Sequence, residues 1–241
     1  MEQAPRILPH LTYRDLASPS LVQAMISDHD HDYYWSEDFS PQFYVAQAQA
    51  GFIATTEQHK GTELLLPELQ HHYALLDFHN LHTSRNVRRI LRHHTPILSV
   101  AFTLDHVYEQ IRRYHKHSWV TPRYLHTLKQ VNALHTPMRV VSVLLRYEGE
   151  VVAGEMGYIL GRTYTSLSGF SSRDPKWRHY GTVQLVLLGR WLKQHGFAFW
   201  NLGQTCMPYK FSLGAKGYDR RAFLQRWSEA ISEPLPSWIP A

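Results

Sequence analysis

Cysteine is all but absent: Cys206 is the only one in 241 residues, which excludes an intramolecular disulfide and any Cys-x-x-Cys metal pair. No run approaches the ~18 consecutive apolar residues that a membrane-spanning helix needs, so no membrane partner is expected. Met1 to His10 lacks the basic-then-apolar pattern of a secretory leader, and the cytoplasm is the simplest compartment. No internal repeat, low-complexity tract or long linker is visible either. Apolar residues make up 44% and charged residues 19% of the chain. That balance excludes wholesale disorder and suits one large domain or two small ones with a proper core.

What the chain does have is an uneven distribution of charge. The net charge of +5 is concentrated: from Arg85 to Lys129 nine basic residues face two acidic ones, and the rest of the chain is slightly acidic. Such a patch attracts phosphate backbones, although a solvated helix face would account for it equally well. The 17 histidines include the close pairs His29/His31, His71/His72, His93/His94 and His115/His117. None is a His-x-x-x-His pair beside a catalytic Glu, and neighbouring residues of a doublet point different ways from a helix. No metal site is therefore expected. Cys206, beside Met207-Pro208 at a strand end, would need a nearby base to act as a nucleophile. The simpler expectation is a buried or half-buried structural cysteine.

Residues 1–83 read as an irregular, aromatic-rich N-terminal domain, with turn signals at Ser18-Pro19, Ser40-Pro41 and Leu66-Pro67. Within it, Ser40-Pro41 opens a capped helix over Gln42 to Ala50 that Gly51 stops. From Ser84 onward the chain reads as a second domain, 84–241. Ser84 caps an amphipathic helix with Val87, Ile90 and Leu91 inward and Arg85, Arg88, Arg89 and Arg92 on or beside the outer face. A short strand over Ile97 to Phe102 and helices over Leu104 to Tyr114 and from Thr121-Pro122 to about Leu134 follow. The period then changes from helical to two-residue. Arg139 to Tyr147 and Glu150 to Leu160 are strands joined at Glu148-Gly149, and Thr163 to Phe170 is a third after Gly161-Arg162. A helix over Gly181 to His195 and a strand over Phe197 to Leu202 complete the order. Strand–strand–strand–helix–strand is the run of an α/β acetyltransferase-like (GNAT) core, a mixed sheet that splays open to hold a substrate.

That core invites a test for coenzyme A. The turn Arg178-His179-Tyr180-Gly181-Thr182-Val183 supplies only the first half of the pyrophosphate-binding pattern at a helix N-terminus. Val183 stands where a small residue would let the backbone approach the phosphates.

Several landmarks occur in one order: Phe39-Ser40-Pro41 through Gly51-Phe52-Ile53, Leu81-His82-Thr83-Ser84-Arg85, and the basic helix. Ser118-Trp119-Val120-Thr121-Pro122, Val152-Ala153-Gly154 with Gly157, Phe170-Ser171-Ser172-Arg173 and Phe211-Ser212-Leu213-Gly214-Ala215 follow. In this order, from about residue 39 to 216, the chain resembles the leucyl/phenylalanyl-tRNA–protein transferases. Leu202-Gly203 and Cys206-Met207-Pro208-Tyr209-Lys210 are more faintly similar to the arginyl-tRNA–protein transferases.

The resemblance implies peptide-bond formation without a cofactor. A free amine attacks the ester carbonyl of an aminoacyl-tRNA and the 3′ hydroxyl leaves, which requires positioning, proton removal and oxyanion stabilisation. It further implies that Gln204 serves the amine. The Asp that orients this Gln in the family is replaced by Leu202, with Asn201 as a neutral polar neighbour, and a second family carboxylate is replaced by Leu167. It places Glu155, Tyr164, Ser168, Gly169 and Phe170 around the amino acid and Trp119 near the terminal adenosine. The basic cluster Arg85, Arg88, Arg89 and Arg92 would bind the tRNA. Glu155 and Gly169 stand at methionine positions of an apolar pocket, so a longer, cationic side chain is expected in place of leucine or phenylalanine. Alternatively, Glu155 faces solvent or pairs with Arg146, and Trp119 is a core anchor. The expected partners are an aminoacyl-tRNA and the N-terminus of a peptide or protein. The competing readings are a degenerate module that binds tRNA or an N-terminus without chemistry, and a coenzyme A-dependent N-acyltransferase.

Overall fold

A computed structural model describes residues 8–134 and 136–236, so most of the Met1 to His10 segment lies outside the described residues. The first described helices are α1 (Tyr13–Leu16), α2 (Pro19–Ser27) and α3 (Pro41–Gln49). The expected cap of α3 is present, the Ser40 hydroxyl accepting from the Phe43 amide at 3.3 Å. Gly51 ends the segment at φ +93°, where a Cβ would lie 2.4 Å from Leu224.

A stretch that reads as irregular in the sequence forms a hairpin, β1 (Ile53–His59) and β2 (Thr62–Glu68), turned at Lys60-Gly61 with both φ positive. The next strand, β3 (His72–Leu76), does not stay with that hairpin. It enters the main sheet, so the expected boundary at residue 83 cuts behind a strand of the larger unit.

The chain continues through α4 (Arg85–His93), β4 (Ile97–Ala101), α5 (Asp105–Tyr114), α6 (Pro122–Ala133), β5 (Met138–Tyr147), β6 (Glu150–Leu160) and β7 (Thr163–Ser171). It closes with α7 (Tyr180–Gln194), β8 (Phe199–Gln204), α8 (Pro208–Ser212), β9 (Lys216–Asp219) and α9 (Arg220–Ser232). The seven-stranded sheet has the order β4-β5-β6-β7-β8-β3-β9. Its neighbours are antiparallel except β7 and β8, which run parallel with α7 as their crossover.

Alternation along the strands divides the core between the two faces. Val140, Leu144, Met156, Tyr158 and Phe199 pack with α5, α6 and α9 residues such as Ile111, Tyr124 and Trp227. Val141, Val143, Leu145, Trp200 and Leu202 pack with Val87 of α4 and Val186 and Leu192 of α7. This is the α/β mixed sheet with flanking helices expected from the sequence.

The parallel pair positions the site. β7 and β8 are registered only from Thr163↔Phe199 to Thr165↔Asn201. Beyond those pairs β7 runs on for six residues, Ser166 to Ser171, bonded on its other side to β6. The two strands separate there, and the gap between them becomes a cavity.

Candidate functional site

The wedge between β7 and β8 is a cavity of ≈620 Å³, open to solvent. Its walls include Glu155 of β6, Ser166 to Ser171 of β7, Gln184 of α7, Leu202 of β8 and Lys210 of α8, with Trp119 at one side.

Glu155 is buried at 4% exposure and forms no ion pair with Arg146, so it takes neither the solvent-facing nor the Arg146-paired arrangement. Three donors hold it: the Tyr164 hydroxyl at 3.0 Å and Ser166 Oγ at 2.6 Å on Oε1, and Gln184 Nε2 at 3.1 Å on Oε2. Ser166 Oγ in turn accepts from the Trp200 indole at 2.8 Å, which directs its own proton toward Glu155. Gly169 sits opposite Glu155 across the β6–β7 ladder, where a Cβ would come within 3.2 Å of the Glu155 Cβ. Burial pushes the Glu155 carboxyl above its ordinary range, and the three hydrogen bonds work against that rise. A carboxylate so held has acceptor capacity left for a ligand in the cavity.

Lys210, which the sequence offers only as the end of the Cys206 to Lys210 stretch, lines the cavity. It is 3% exposed, and Nζ donates to the Gln204 carbonyl at 2.6 Å. No carboxylate among the described residues forms an ion pair with it. Burial lowers its pKa to about 8. A buried ammonium lining a cavity without an acid partner is the kind of group that exchanges protons near neutral pH.

Gln204 lies behind this lysine and not among the residues lining the cavity. Gly203, at φ +73°, interrupts the alternation of β8, and the Gln204 side chain meets β2. Its Nε2 donates to Glu68 Oε2 at 2.9 Å and to the Tyr33 hydroxyl at 3.1 Å. With both amide protons used, Oε1 is the end left to accept. Glu68 therefore fixes the orientation of this amide from 136 residues away in sequence, the task expected of the absent Asp at position 202. Burial raises the Glu68 carboxyl above its usual range, and the bonds from Gln204, Tyr33 and Gln70 lower it in part. Asn201 points elsewhere: it is buried, and Oδ1 accepts from the Gly203 amide at 2.9 Å. It does not orient Gln204. Leu202 lines the cavity as an apolar wall, and Leu167, also in the lining, is left without a partner where the β6–β7 register shifts.

Of the other expected residues, Ser168, Gly169, Phe170 and Trp119 line the cavity. Tyr164 reaches it only through its hydroxyl on Glu155, and Phe170 stacks on Tyr114 with centroids 5.5 Å apart. Trp119 touches both the core and the cavity. It is half-buried, edge-to-face with Tyr124 at 5.1 Å, and presents one side to the cavity. Arg85, Arg88, Arg89 and Arg92 are exposed on α4, and none forms an ion pair among the described residues. Cys206 is exposed rather than buried, 3.8 Å from Gln204 Oε1, because the strand has ended and α8 has yet to begin. Val183, in the first turn of α7, is wholly buried with its side chain packed in the core. Among the described residues no helix is long and apolar enough to cross a membrane, and no group of three His, Cys, Asp or Glu gathers as metal ligands would.

Known proteins resemble the chain in sequence and in fold. Residues 75–228 match the sequence profile of the family described as leucyl/phenylalanyl-tRNA protein transferase. The leucyl/phenylalanyl-tRNA–protein transferase of Yersinia pestis (strain Pestoides F) is 28% identical over 174 residues, 69% of each chain. That of Yersinia pseudotuberculosis serotype O:1b (strain IP 31758) matches over the same share at the same identity. Among solved structures, FemX superposes with a TM-score of 0.50 at 8% identity, covering 90% of this chain and 81% of FemX. With the profile spanning well over half its length, from β3 into α9, the chain belongs to the leucyl/phenylalanyl-tRNA–protein transferase family of enzymes.

Proposed function

We propose that this enzyme transfers an amino acid with a basic side chain from an aminoacyl-tRNA to the free amine of a peptide or protein N-terminus. The observation that carries this reading is the Glu155 carboxylate, buried in the cavity wall and held by three donors. An apolar side chain packed against it would cut off the remaining access to solvent of a carboxylate whose three donors are all neutral, leaving its charge without a counter-charge. A guanidinium or ammonium there gains charge-assisted hydrogen bonds. Rejection of leucine and phenylalanine then follows from desolvation as much as from shape.

The chemistry assigned to the remaining residues is a proton relay. The acceptor nitrogen forms a bond to the ester carbonyl carbon and gives up a proton to neutral Lys210. The carbon–oxygen ester bond then breaks, and the ribose 3′ oxygen takes that proton from Lys210. Nothing is consumed but the ester and the amine. Gln204, beside the cavity and tied to Lys210 through its carbonyl, is assigned to the acceptor side. There Oε1, aimed by Glu68 and Tyr33, accepts from the N–H of an amine that approaches Lys210 from that side.

The test is incubation with total charged tRNA, each amino acid radiolabelled in turn, and a mixture of acceptor peptides. Label from arginyl- or lysyl-tRNA should enter the peptides. Equal use of leucyl-tRNA would remove the selectivity, and no transfer from any tRNA would remove the activity. The apolar residues at positions 202 and 167 favour a second reading, a tRNA-binding relative without chemistry. It predicts binding of a non-hydrolysable aminoacyl analogue with no labelled product.

A further inference from the structure

Beyond the basic face of α4, the surface holds a second set of cations with a defined relation to the cavity. A hollow lined by Arg113 of α5, Arg146 of β5 and Arg173 adjoins the cavity, and Tyr114 and Arg173 belong to the walls of both. The same hollow shares Trp177 with another that lies against α4 and is lined by Arg89 and Arg178. The three depressions therefore lie side by side with shared wall residues, and their arginines form a basic track from the exposed helix α4 to the mouth that leads to Glu155.

Local charges keep that track cationic. Its acids Glu150 and Asp174 both face Lys176, at 2.9 and 3.8 Å, and Glu148 stands at the α4 end. No carboxylate among the described residues pairs with Arg113, Arg146 or Arg173. Arg173 is fixed at the junction by a 2.6 Å hydrogen bond from Nη2 to the Tyr114 carbonyl, and Arg113 lies 5.9 Å from the Tyr114 ring centre. Unpaired guanidiniums along a groove attract phosphates and stack on unpaired bases.

We propose that Arg113, Arg146 and Arg173 hold the phosphates of the single-stranded 3′ end of the RNA between the duplex bound at α4 and the amino acid in the cavity. This rests on the aminoacyl-tRNA reading above and adds to it a path and a division of labour. α4 contacts the duplex, the arginine groove contacts the last nucleotides, and the cavity takes the aminoacyl group.

Three probes of increasing length separate these roles. One is an adenosine carrying arginine through a stable 3′ amide, which has no phosphate. The others are the same analogue extended to the trinucleotide CCA, and full-length tRNA. The Arg113→Gln/Arg146→Gln protein should bind the trinucleotide about ten-fold more weakly, with its salt slope reduced by roughly 0.7 for each lost phosphate contact. The same protein should bind the adenosine analogue as the unmodified chain does. Arg88→Gln/Arg89→Gln should weaken tRNA binding and leave the trinucleotide unaffected. Unchanged trinucleotide binding by the groove variant overturns the proposal, as does an equal loss for the adenosine analogue, which would mean the cavity itself was disturbed. An effect confined to an acidic acceptor peptide would give the groove to the acceptor and also overturn it. Should the unmodified protein bind tRNA and ignore the adenosine analogue, the aminoacyl reading fails, while the groove variants still decide the path of the RNA.

Discussion

Lys210 shows how a single residue in this site departs from what stability alone would choose. Its pKa of about 8 lies well below that of a lysine in the unfolded chain, because burial disfavours the charged form. The unfolded state binds more protons in the interval between the two values, so the stability of the fold rises with pH from about 8 to roughly 10.4. Lys210→Met should remove that dependence and raise Tm at neutral pH, by roughly 2–4 °C for each kcal/mol relieved, as calorimetry would show. The same change should abolish most of the transfer rate. In the unmodified enzyme the single-turnover rate should climb through about pH 8 as the amine becomes neutral. A Lys210→Met protein that is no more stable, or that keeps the original pH profile, contradicts the role assigned to it. Charge and apolar residues visible in the sequence did not point to this lysine. Its position one turn into a short helix becomes informative only when the carbonyl of Gln204 and the cavity wall are seen around it.

At the scale of elements, what was legible followed periodicity and what was missed lacked it. The strands Met138–Tyr147 and Glu150–Leu160 and the helix Tyr180–Gln194 fall within one residue of the expected limits, since long apolar patterns and the Glu148-Gly149 turn define them locally. The hairpin Ile53–His59 and Thr62–Glu68 was not legible. Its first strand ends in Thr55, Thr56, Glu57, Gln58 and His59, which alternate poorly, and Pro67 argues against a strand. Losing that hairpin meant losing Glu68. The sequence shows two missing carboxylates at Leu202 and Leu167, and no local signal says that an acid on a distant strand end meets Gln204. Glu68→Gln should release the fixed orientation of the Gln204 amide, because a glutamine can donate as well as accept. We expect a loss of about ten-fold in kcat, roughly 1.4 kcal/mol of barrier, with the KM for aminoacyl-tRNA unchanged. A fall in tRNA affinity with an intact kcat would show that Glu68 supports binding and does not orient the amide.

Over the whole molecule, one buried side chain ties the first described residues to the last helix. Arg220 is 3% exposed at the start of α9, and its guanidinium donates to backbone carbonyls of Met25, Ile26 and His31 at 3.3–3.4 Å, to Gln70 at 3.2 Å, and to Asp28 and Leu69. Removing the guanidinium would take a donor from each of these carbonyls, of which Met25 keeps the Asp28 amide. Arg220→Met should therefore cost at least ~3 kcal/mol in urea unfolding. A cost below ~1 kcal/mol would mean that water replaces the clasp. The central strands of the sheet and the family were within reach of the sequence because they rest on landmarks spread along the chain in a fixed order, whereas the places of β3 and β9 in the sheet were not. The cavity's chemistry was within reach only in part: Glu155 and Gly169 could be aligned, whereas the three donors on Glu155 come from Tyr164, Ser166 and Gln184 on two other elements. On the function proposed above, that carboxylate decides what the enzyme accepts. The most direct test is mass spectrometry of an acceptor peptide after incubation with an equal mixture of arginyl-, lysyl-, leucyl- and phenylalanyl-tRNA, for the unmodified protein and for Glu155→Gln. The unmodified protein should add the mass of arginine or lysine to the peptide N-terminus, and Glu155→Gln should lose that preference by about ten-fold or more. Addition of leucine or phenylalanine by the unmodified protein, or a preference that survives Glu155→Gln, would contradict the account.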